Sequence, residues 1–169
     1  MVASAFIGMG SNLAHPRRQI ARAVRALPRL PATRIVGVSR NYLTAPVDPA
    51  MPQPDYVNAV ARVETRLSPR ALLKQLMLIE RRQRRTRDAA GKRNLPRTLD
   101  LDLLMFDERR LHTDSLTLPH PRMHERAFVL RPLLEIAPAA SIPGRGAARA
   151  ALRRTAGQRL APTRSHILH

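Results

Sequence analysis

Leucine and aspartate alternate strictly through Leu99-Asp100-Leu101-Asp102-Leu103. Residues two apart in a β-strand point to the same face. A strand here therefore puts the three leucines on one side and both carboxylates on the other. Aspartate is a poor strand former, and two like charges held roughly 6.5–7 Å apart along a strand repel. The run thus demands a sheet with one apolar face. The other face either holds a cation between the carboxylates or leaves them to solvent along an acidic edge. Mg²⁺ suits the first reading, because it takes a few carboxylates together with water and substrate phosphates, and paired metals lie about 3.5–4 Å apart. Spacing alone leaves both readings open.

The same period of two recurs earlier in the chain. Ser4–Met9 alternates with Ala5, Ile7 and Met9 on one face, and Gly10-Ser11-Asn12 then turns it. Thr33–Ser39, with Ile35, Val36 and Val38, reads as a second strand. Asp55–Val63 reads as a third, with Val57, Ala59, Ala61 and Val63 opposed by Tyr56, Asn58 and Val60. Thr98–Phe106 is the fourth. Two helices intervene. Pro16 suits the first turn of one; Ile20, Val24 and Leu27 form its apolar stripe, and Pro28 and Pro31 end it. Ser68-Pro69 starts the other, N-cap then proline, with Leu72, Leu73, Leu76, Ile79 and Glu80 following at helical spacing.

This second helix is expected to fray into an arginine segment, and Asp88–Asn94 reads as a mobile loop. Thr44–Pro54 reads as loop throughout, since Pro46, Pro49, Pro52 and Pro54 remove too many donors for a sheet. The order β-α-β-β-α-β is the ferredoxin-like arrangement. It predicts an α+β fold with both helices on one face of an antiparallel sheet. Leu118–Ile136 adds a loop and a short helix, and a peripheral helix is expected near Ala147–Arg154. The expected division is a main domain over residues 1–138, with residues 139–169 as an Ala/Arg/Pro-rich extension of it. No internal repeat and no second domain is apparent.

A chain of 169 residues suits one domain with a real core. There is no cysteine, hence no disulfide and no thiolate metal site. The apolar run Val2–Met9 is short, interrupted by glycine and without a basic leader, so it does not read as a signal peptide. No stretch is long enough to cross a bilayer. A soluble, cytoplasmic monomer is expected, with no membrane partner.

The net charge is +18 and nearly all of it is arginine, Lys74 and Lys92 being the only lysines. Such a charge suits a polyanionic partner; as a whole it suits better arginine replacing lysine on solvated faces in a GC-rich genome. Its distribution says more. Arg81, Arg82, Arg84, Arg85, Arg87, Lys92, Arg93 and Arg97 stand against Asp88 alone, and they run directly into the aspartate pair. A basic segment beside a metal-binding strand is what a Mg²⁺–nucleoside triphosphate site needs.

Several further stretches carry a resemblance: Phe6-Ile7-Gly8-Met9-Gly10-Ser11-Asn12-Leu13, Tyr42-Leu43-Thr44-Ala45-Pro46, Gln53-Pro54-Asp55-Tyr56-Val57-Asn58 and Ile79-Glu80. After them come Pro96 through Leu104, Leu118-Pro119-His120-Pro121-Arg122, Arg126-Ala127-Phe128-Val129-Leu130 and Pro132 through Pro138. In content and order they resemble the 6-hydroxymethyl-7,8-dihydropterin pyrophosphokinase family of folate biosynthesis, over most of the chain.

The resemblance implies a ferredoxin-like enzyme that passes the terminal diphosphate of ATP to the pterin hydroxymethyl group and releases AMP. Asp100 and Asp102 match the ligands of two Mg²⁺, one bridging the α- and β-phosphates, the other bridging β and γ and holding the attacking hydroxyl. No side-chain base is then demanded. Tyr56 and Phe128 match the aromatics that sandwich the pterin. Asn58 matches a partner of its amide edge, with the backbone of Thr44, Pro46 and Val47 beside it. Arg87, Arg93 and Arg97 match the ATP-facing arginines, Arg87 and Arg97 among the catalytic ones; His120 and Arg126 complete the phosphate grip, and Glu80 matches a residue near the adenosine.

The chain departs from the family pattern in three places. Arg84-Arg85-Thr86-Arg87 lacks the glycine usual there. Arg93-Asn94-Leu95-Pro96-Arg97-Thr98 stands where the family has Arg-Trp-Gly-Pro-Arg-Thr, and the chain has no tryptophan. The proline-rich loop is slightly longer than usual, with Asp48 in place of a glycine. These changes lie in the loops read as mobile, while the metal strand and pterin pocket keep the family pattern, so altered lid closure, and with it altered ATP affinity or turnover, is expected, lid steps often limiting turnover. A divergent paralogue with another pterin or weak turnover is one alternative. A basic RNA-binding module is a remote one. It would need exposed aromatics on the sheet where this chain carries two carboxylates, so no nucleic-acid partner is expected.

Overall fold

The computed structural model describes residues 1–12, 15–44, 56–88 and 99–163, without the side chains of residues 85–88. In chain order it forms β1 (Ala3–Ser11), α1 (Pro16–Ala26), β2 (Thr33–Val38), β3 (Tyr42–Thr44), β4 (Tyr56–Thr65), α2 (Pro69–Asp88) and β5 (Asp100–Phe106). Two short hairpins follow, β6 (Leu111–His112) with β7 (Thr117–Leu118) and β8 (Ser141–Ile142) with β9 (Gly146–Ala147). Helix α3 (Ala127–Ile136) lies between the hairpins; α4 (Ala148–Arg153) and β10 (Leu160–Pro162) follow them.

The main sheet runs β10-β3-β4-β1-β5, with β2 also on β4, and every pair is antiparallel. β2 and β3 share one edge of β4: β2 pairs with Ala61 to Thr65, β3 with Tyr56 to Asn58. Without β3 and β10 this is the expected ferredoxin-like order. Thr44 therefore ends a strand instead of opening the proline-rich loop; the rest of that loop lies outside the described residues. β10 carries Pro162, which an edge strand tolerates because the missing N–H faces no further partner.

One face of the sheet buries Ala5, Ile7, Met9, Ala59, Ala61, Val63, Leu101 and Leu103 against Ile20, Ala23 and Val24 of α1 and Leu72, Leu76 and Ile79 of α2. Each fully buried leucine or isoleucine there contributes about 1.5–3 kcal/mol relative to exposure. The Ser68 hydroxyl accepts the Ala71 N–H at 3.2 Å, the expected cap of α2.

The arginine segment does not fray the helix. α2 runs on to Asp88, because arginine is a good helix former and Gln83 docks this half of the helix. Buried Gln83 donates through Nε2 to the Gln19 backbone carbonyl at 3.1 Å and to Gln19 Oε1 at 2.8 Å. The loop expected after Asp88 lies outside the described residues.

The opposite face has a second core. A register shift between β1 and β5 pairs Ile7 with Leu103 but Phe6 with Met105. This bulge turns Leu104 and Met105 to the same side, where they join Val60, Val129, Leu130 and Leu133 of α3, and Ala148 and Ala151 of α4. Phe106 returns to the first core. The helix expected near Ala147–Arg154 is α4, and it belongs to this second layer.

Candidate active site

The helices α3 and α4 leave part of the second face open, and the aspartate pair lies there. Asp100 stands opposite Gly10 and Asp102 opposite Gly8. Both aspartates are half-buried, while Leu99, Leu101 and Leu103 are sealed in the first core. On the other side of β1, Gly10 faces Asn58 of β4, and Asn58 faces Tyr42 of β3. Two strand spacings separate Asp100 from Asn58, about 10 Å, with glycine between them. A β-carbon on Gly10 would come within 3.0 Å of Asn58 Oδ1. The missing side chain lets the buried carboxamide lie across the sheet, where its Nδ2 donates to Thr44 Oγ1 at 2.9 Å. Tyr56 pairs with Thr44 in the next row and is half-buried.

Glu80 reaches the aspartate strand from α2. Its Oε1 accepts the N–H of Leu101 at 2.8 Å, midway between Asp100 and Asp102. β5 is an edge strand, so this carboxylate occupies an outward donor that no neighbouring strand pairs. Glu80 is thus placed against the aspartate strand itself.

His120 arrives from the turn before α3. Its N–H donates to the Leu104 carbonyl at 2.8 Å, and its Nδ1 accepts the Arg122 N–H at 3.2 Å. That bond leaves the proton of the neutral ring on Nε2. Burial pushes the imidazole pKa below its ordinary value; Asp102 opposes this, while Arg126 and Arg122 reinforce it. The three residues Asp102, His120 and Arg126 therefore share one electrostatic environment. Arg126 is the N-cap residue of α3, and its guanidinium lies over the Phe128 ring at 5.5 Å from the centroid. Phe128 is half-buried, its body packed on the second core.

The fold thus gathers Asp100, Asp102, His120, Arg126 and Phe128, with Asn58, Thr44 and Tyr56 on the adjoining strands. Pro46, Val47, Arg93, Arg97 and the side chain of Arg87 lie outside the described residues. Sequence reasoning missed the glycine floor, although Gly8 and Gly10 sit at alternate positions opposite Ile7 and Met9. It also missed Glu135 of α3, whose carboxylate accepts the Tyr42 hydroxyl at 2.6 Å and the Arg40 N–H at 3.1 Å. Burial first, and then this bond, push the Tyr42 pKa up to about 12. Nothing local in the sequence signals that contact.

The aspartate pair fits Mg²⁺ by the chemistry of its donors. Both are hard oxygen ligands, and among the described residues no group of three or more His, Cys, Asp or Glu side chains forms a closed metal cage. Two carboxylates leave most of an octahedral shell to water and phosphate, which is the usual way Mg²⁺ is held. Among the described residues no helix is long and apolar enough to cross a membrane.

The family described as 7,8-dihydro-6-hydroxymethylpterin-pyrophosphokinase matches residues 6–138. The 2-amino-4-hydroxy-6-hydroxymethyldihydropteridine pyrophosphokinase of Pseudomonas aeruginosa is 48% identical over 143 residues, covering 85% of this chain and 86% of the relative. The enzyme of the same name from Haemophilus influenzae is 46% identical over 134 residues, 79% of this chain and 81% of the relative. Among solved structures, Plasmodium falciparum HPPK-DHPS with pteroate superimposes with a TM-score of 0.71 at 12% identity, over 91% of this chain. This chain spans 44% of that longer one, and the likeness is one of fold.

Proposed function

The chain belongs to the 7,8-dihydro-6-hydroxymethylpterin-pyrophosphokinase family, and from that membership we propose that the open half of its second sheet face is where diphosphate passes from ATP to the pterin. The enzyme is a pyrophosphokinase of folate biosynthesis with ATP as co-substrate. The acceptor in this reading is 6-hydroxymethyl-7,8-dihydropterin. Its hydroxyl oxygen attacks the β-phosphorus of ATP, the bond from that phosphorus to the α–β bridging oxygen breaks with its electrons leaving on AMP, and the hydroxyl proton goes to solvent.

Such a transfer rests on positioning and charge stabilisation. The supporting observation is the register that sets Asp100 and Asp102 over Gly10 and Gly8 with Asn58 beyond them. It puts both carboxylates and the Asn58 carboxamide on one face of the sheet. Asp100 and Asp102 would hold Mg²⁺, two ions by the family resemblance. Bound there, Mg²⁺ would neutralise phosphate charge and acidify the acceptor hydroxyl. His120, neutral with its proton on Nε2, donates to a phosphate oxygen. Arg126 supplies a fixed positive charge, steadied by the Phe128 ring. Arg87, Arg93 and Arg97 complete the phosphate grip, with Arg87 and Arg97 at the transferred group. Asn58 spends one N–H on Thr44 and offers its remaining N–H and oxygen to the pterin edge. Tyr56 and Phe128 supply ring faces, and the backbone of Thr44, Pro46 and Val47 lines the rim. Glu80 holds the aspartate strand and borders the adenosine. The chain acts as a cytoplasmic monomer on small molecules, one domain in which residues 139–169 extend residues 1–138.

Calorimetry with Mn²⁺ and a non-hydrolysable ATP analogue tests the metal assignment. Asp102→Asn keeps the side-chain shape and removes the charge. It should abolish the nucleotide-dependent Mn²⁺ binding expected of the unmodified enzyme while leaving the melting temperature unchanged. Equal Mn²⁺ binding by both proteins would remove Asp102 from the metal site.

A further inference from the structure

Gln158 lies in the turn between α4 and β10, beyond the stretch 6–138 that matches the family. Its carboxamide grips the backbone on both sides of Arg126. Nε2 donates to the Glu125 carbonyl at 2.7 Å, and Oε1 accepts the Ala127 N–H at 2.9 Å. Ala127 opens α3, whose first N–H groups have no intrahelical acceptor. The helix has no side-chain cap of its own, since its N-cap residue is Arg126, a side chain that can only donate. An orphan donor at the start of α3 is therefore satisfied from the far end of the chain.

Gln158 is exposed, so it fills no core; what it contributes is these two bonds. It is itself anchored on both sides. Its N–H donates to the Thr155 carbonyl at 2.9 Å, and buried Thr155 bonds through its hydroxyl to the Leu152 carbonyl at 2.7 Å. Two residues further on, Leu160 pairs with Thr44, and the Thr163 N–H donates to the Asn41 carbonyl at 2.9 Å. One short segment thus ties the turn bearing Arg126 and Phe128 to the strand bearing Thr44.

We propose that Gln158 is a positioning residue for the transfer reaction. Two opposed hydrogen bonds flanking a single residue hold Arg126 in its extended conformation, φ −118° and ψ 108°, between the helical turn Met123–Glu125 and α3. That fixes the guanidinium over the Phe128 ring, so the phosphate grip and the pterin face are set by the same clamp. The inference rests on the assignment of Arg126 to phosphate and Phe128 to the pterin.

Steady-state kinetics and thermal melting of Gln158→Ala, Gln158→Glu, Arg126→Ala and the double variant Gln158→Ala/Arg126→Ala test it. Gln158→Ala should raise KM for both ATP and the dihydropterin about tenfold, the scale of a small misplacement of binding groups. Gln158→Glu, which keeps the acceptor for Ala127, should fall between it and the unmodified enzyme. In the Arg126→Ala background, Gln158→Ala should change KM for ATP by less than about twofold, because the group it positions is gone. A Gln158→Ala enzyme that melts earlier but keeps both KM values within about twofold, while Arg126→Ala raises KM for ATP, would reduce Gln158 to a structural role and overturn the proposal. An Arg126→Ala enzyme with unchanged KM for ATP would instead refute the phosphate assignment, and the clamp with it. Should Gln158→Ala not fold, Gln158→Glu decides alone: KM values raised more than about twofold support the clamp, and values below that overturn it.

Discussion

At Gly10 a hydrogen atom stands where any other residue would press a methyl against Asn58. In Gly10→Ala the new β-carbon would lie 3.0 Å from Asn58 Oδ1, tighter than most real contacts, so the carboxamide must give by a few tenths of an ångström. That shift strains its bond to Thr44. Weakening one well-placed hydrogen bond costs up to about 1 kcal/mol, so KM for the dihydropterin should rise by up to roughly fivefold. KM for ATP should hold steady. Kinetics with each substrate varied in turn checks this, and an equal rise in both constants would contradict it. The face shared by Tyr56 and Asn58, like that shared by Asp100 and Asp102, was legible, because alternation in a strand assigns faces without any knowledge of the partners. The partners were not. Asn58 finds Thr44 across β3, and Tyr42 finds Glu135 across the second core; such contacts depend on which strands become neighbours.

Helices and long strands could be read from their periods, but their extents were decided by tertiary contacts. α2 continues through its arginines because Gln83 meets Gln19 of α1. Gln83→Ala should therefore destabilise the protein by about 1–3 kcal/mol, since its two hydrogen bonds to Gln19 contribute about 0.5–1.5 kcal/mol each. Hydrogen exchange should then quicken in the second half of α2 while its first half stays protected. Uniform behaviour along the helix would argue against this docking role. β3 escaped notice because it is only three residues long and is defined by pairing with β4 and β10.

The contact between β3 and α3 also sets a pH response. Tyr42 holds its proton up to about pH 12 in the folded protein, against 10.0 ordinarily. The raised value means its stabilising contribution is complete below pH 10 and is lost as the pH climbs toward 12. Tyr42→Phe should be less stable than the unmodified protein at pH 8, and the difference should close between pH 10 and 12. A difference that stays constant through that range would show that the hydroxyl is not held as described.

Over the whole molecule, one sheet serves two layers. α1 and α2 pack on the first face, and α3 and α4 cover part of the second. The part those two helices leave uncovered is where the transfer is proposed to occur. The first layer follows from the β-α-β-β-α-β order. The second depends on the bulge that turns Leu104 and Met105 the same way, and on a C-terminal segment of alanine, arginine and proline whose composition fits a helix but names no partner. The large positive charge was similarly ambiguous in sequence. Among the described residues, three of its arginines take separate tasks: Arg126 over Phe128 beside the site, Arg62 over Phe6, and exposed Arg34 on the half-buried Glu64.

The most direct test is to identify the nucleotide released when the purified protein meets ATP, Mg²⁺ and 6-hydroxymethyl-7,8-dihydropterin. Attack at the β-phosphorus predicts AMP and pterin diphosphate in equal amounts, with turnover lost in Asp102→Asn by at least about a hundredfold. Release of ADP, or AMP formation undiminished in Asp102→Asn, would contradict the claim that this pair of carboxylates directs diphosphoryl transfer.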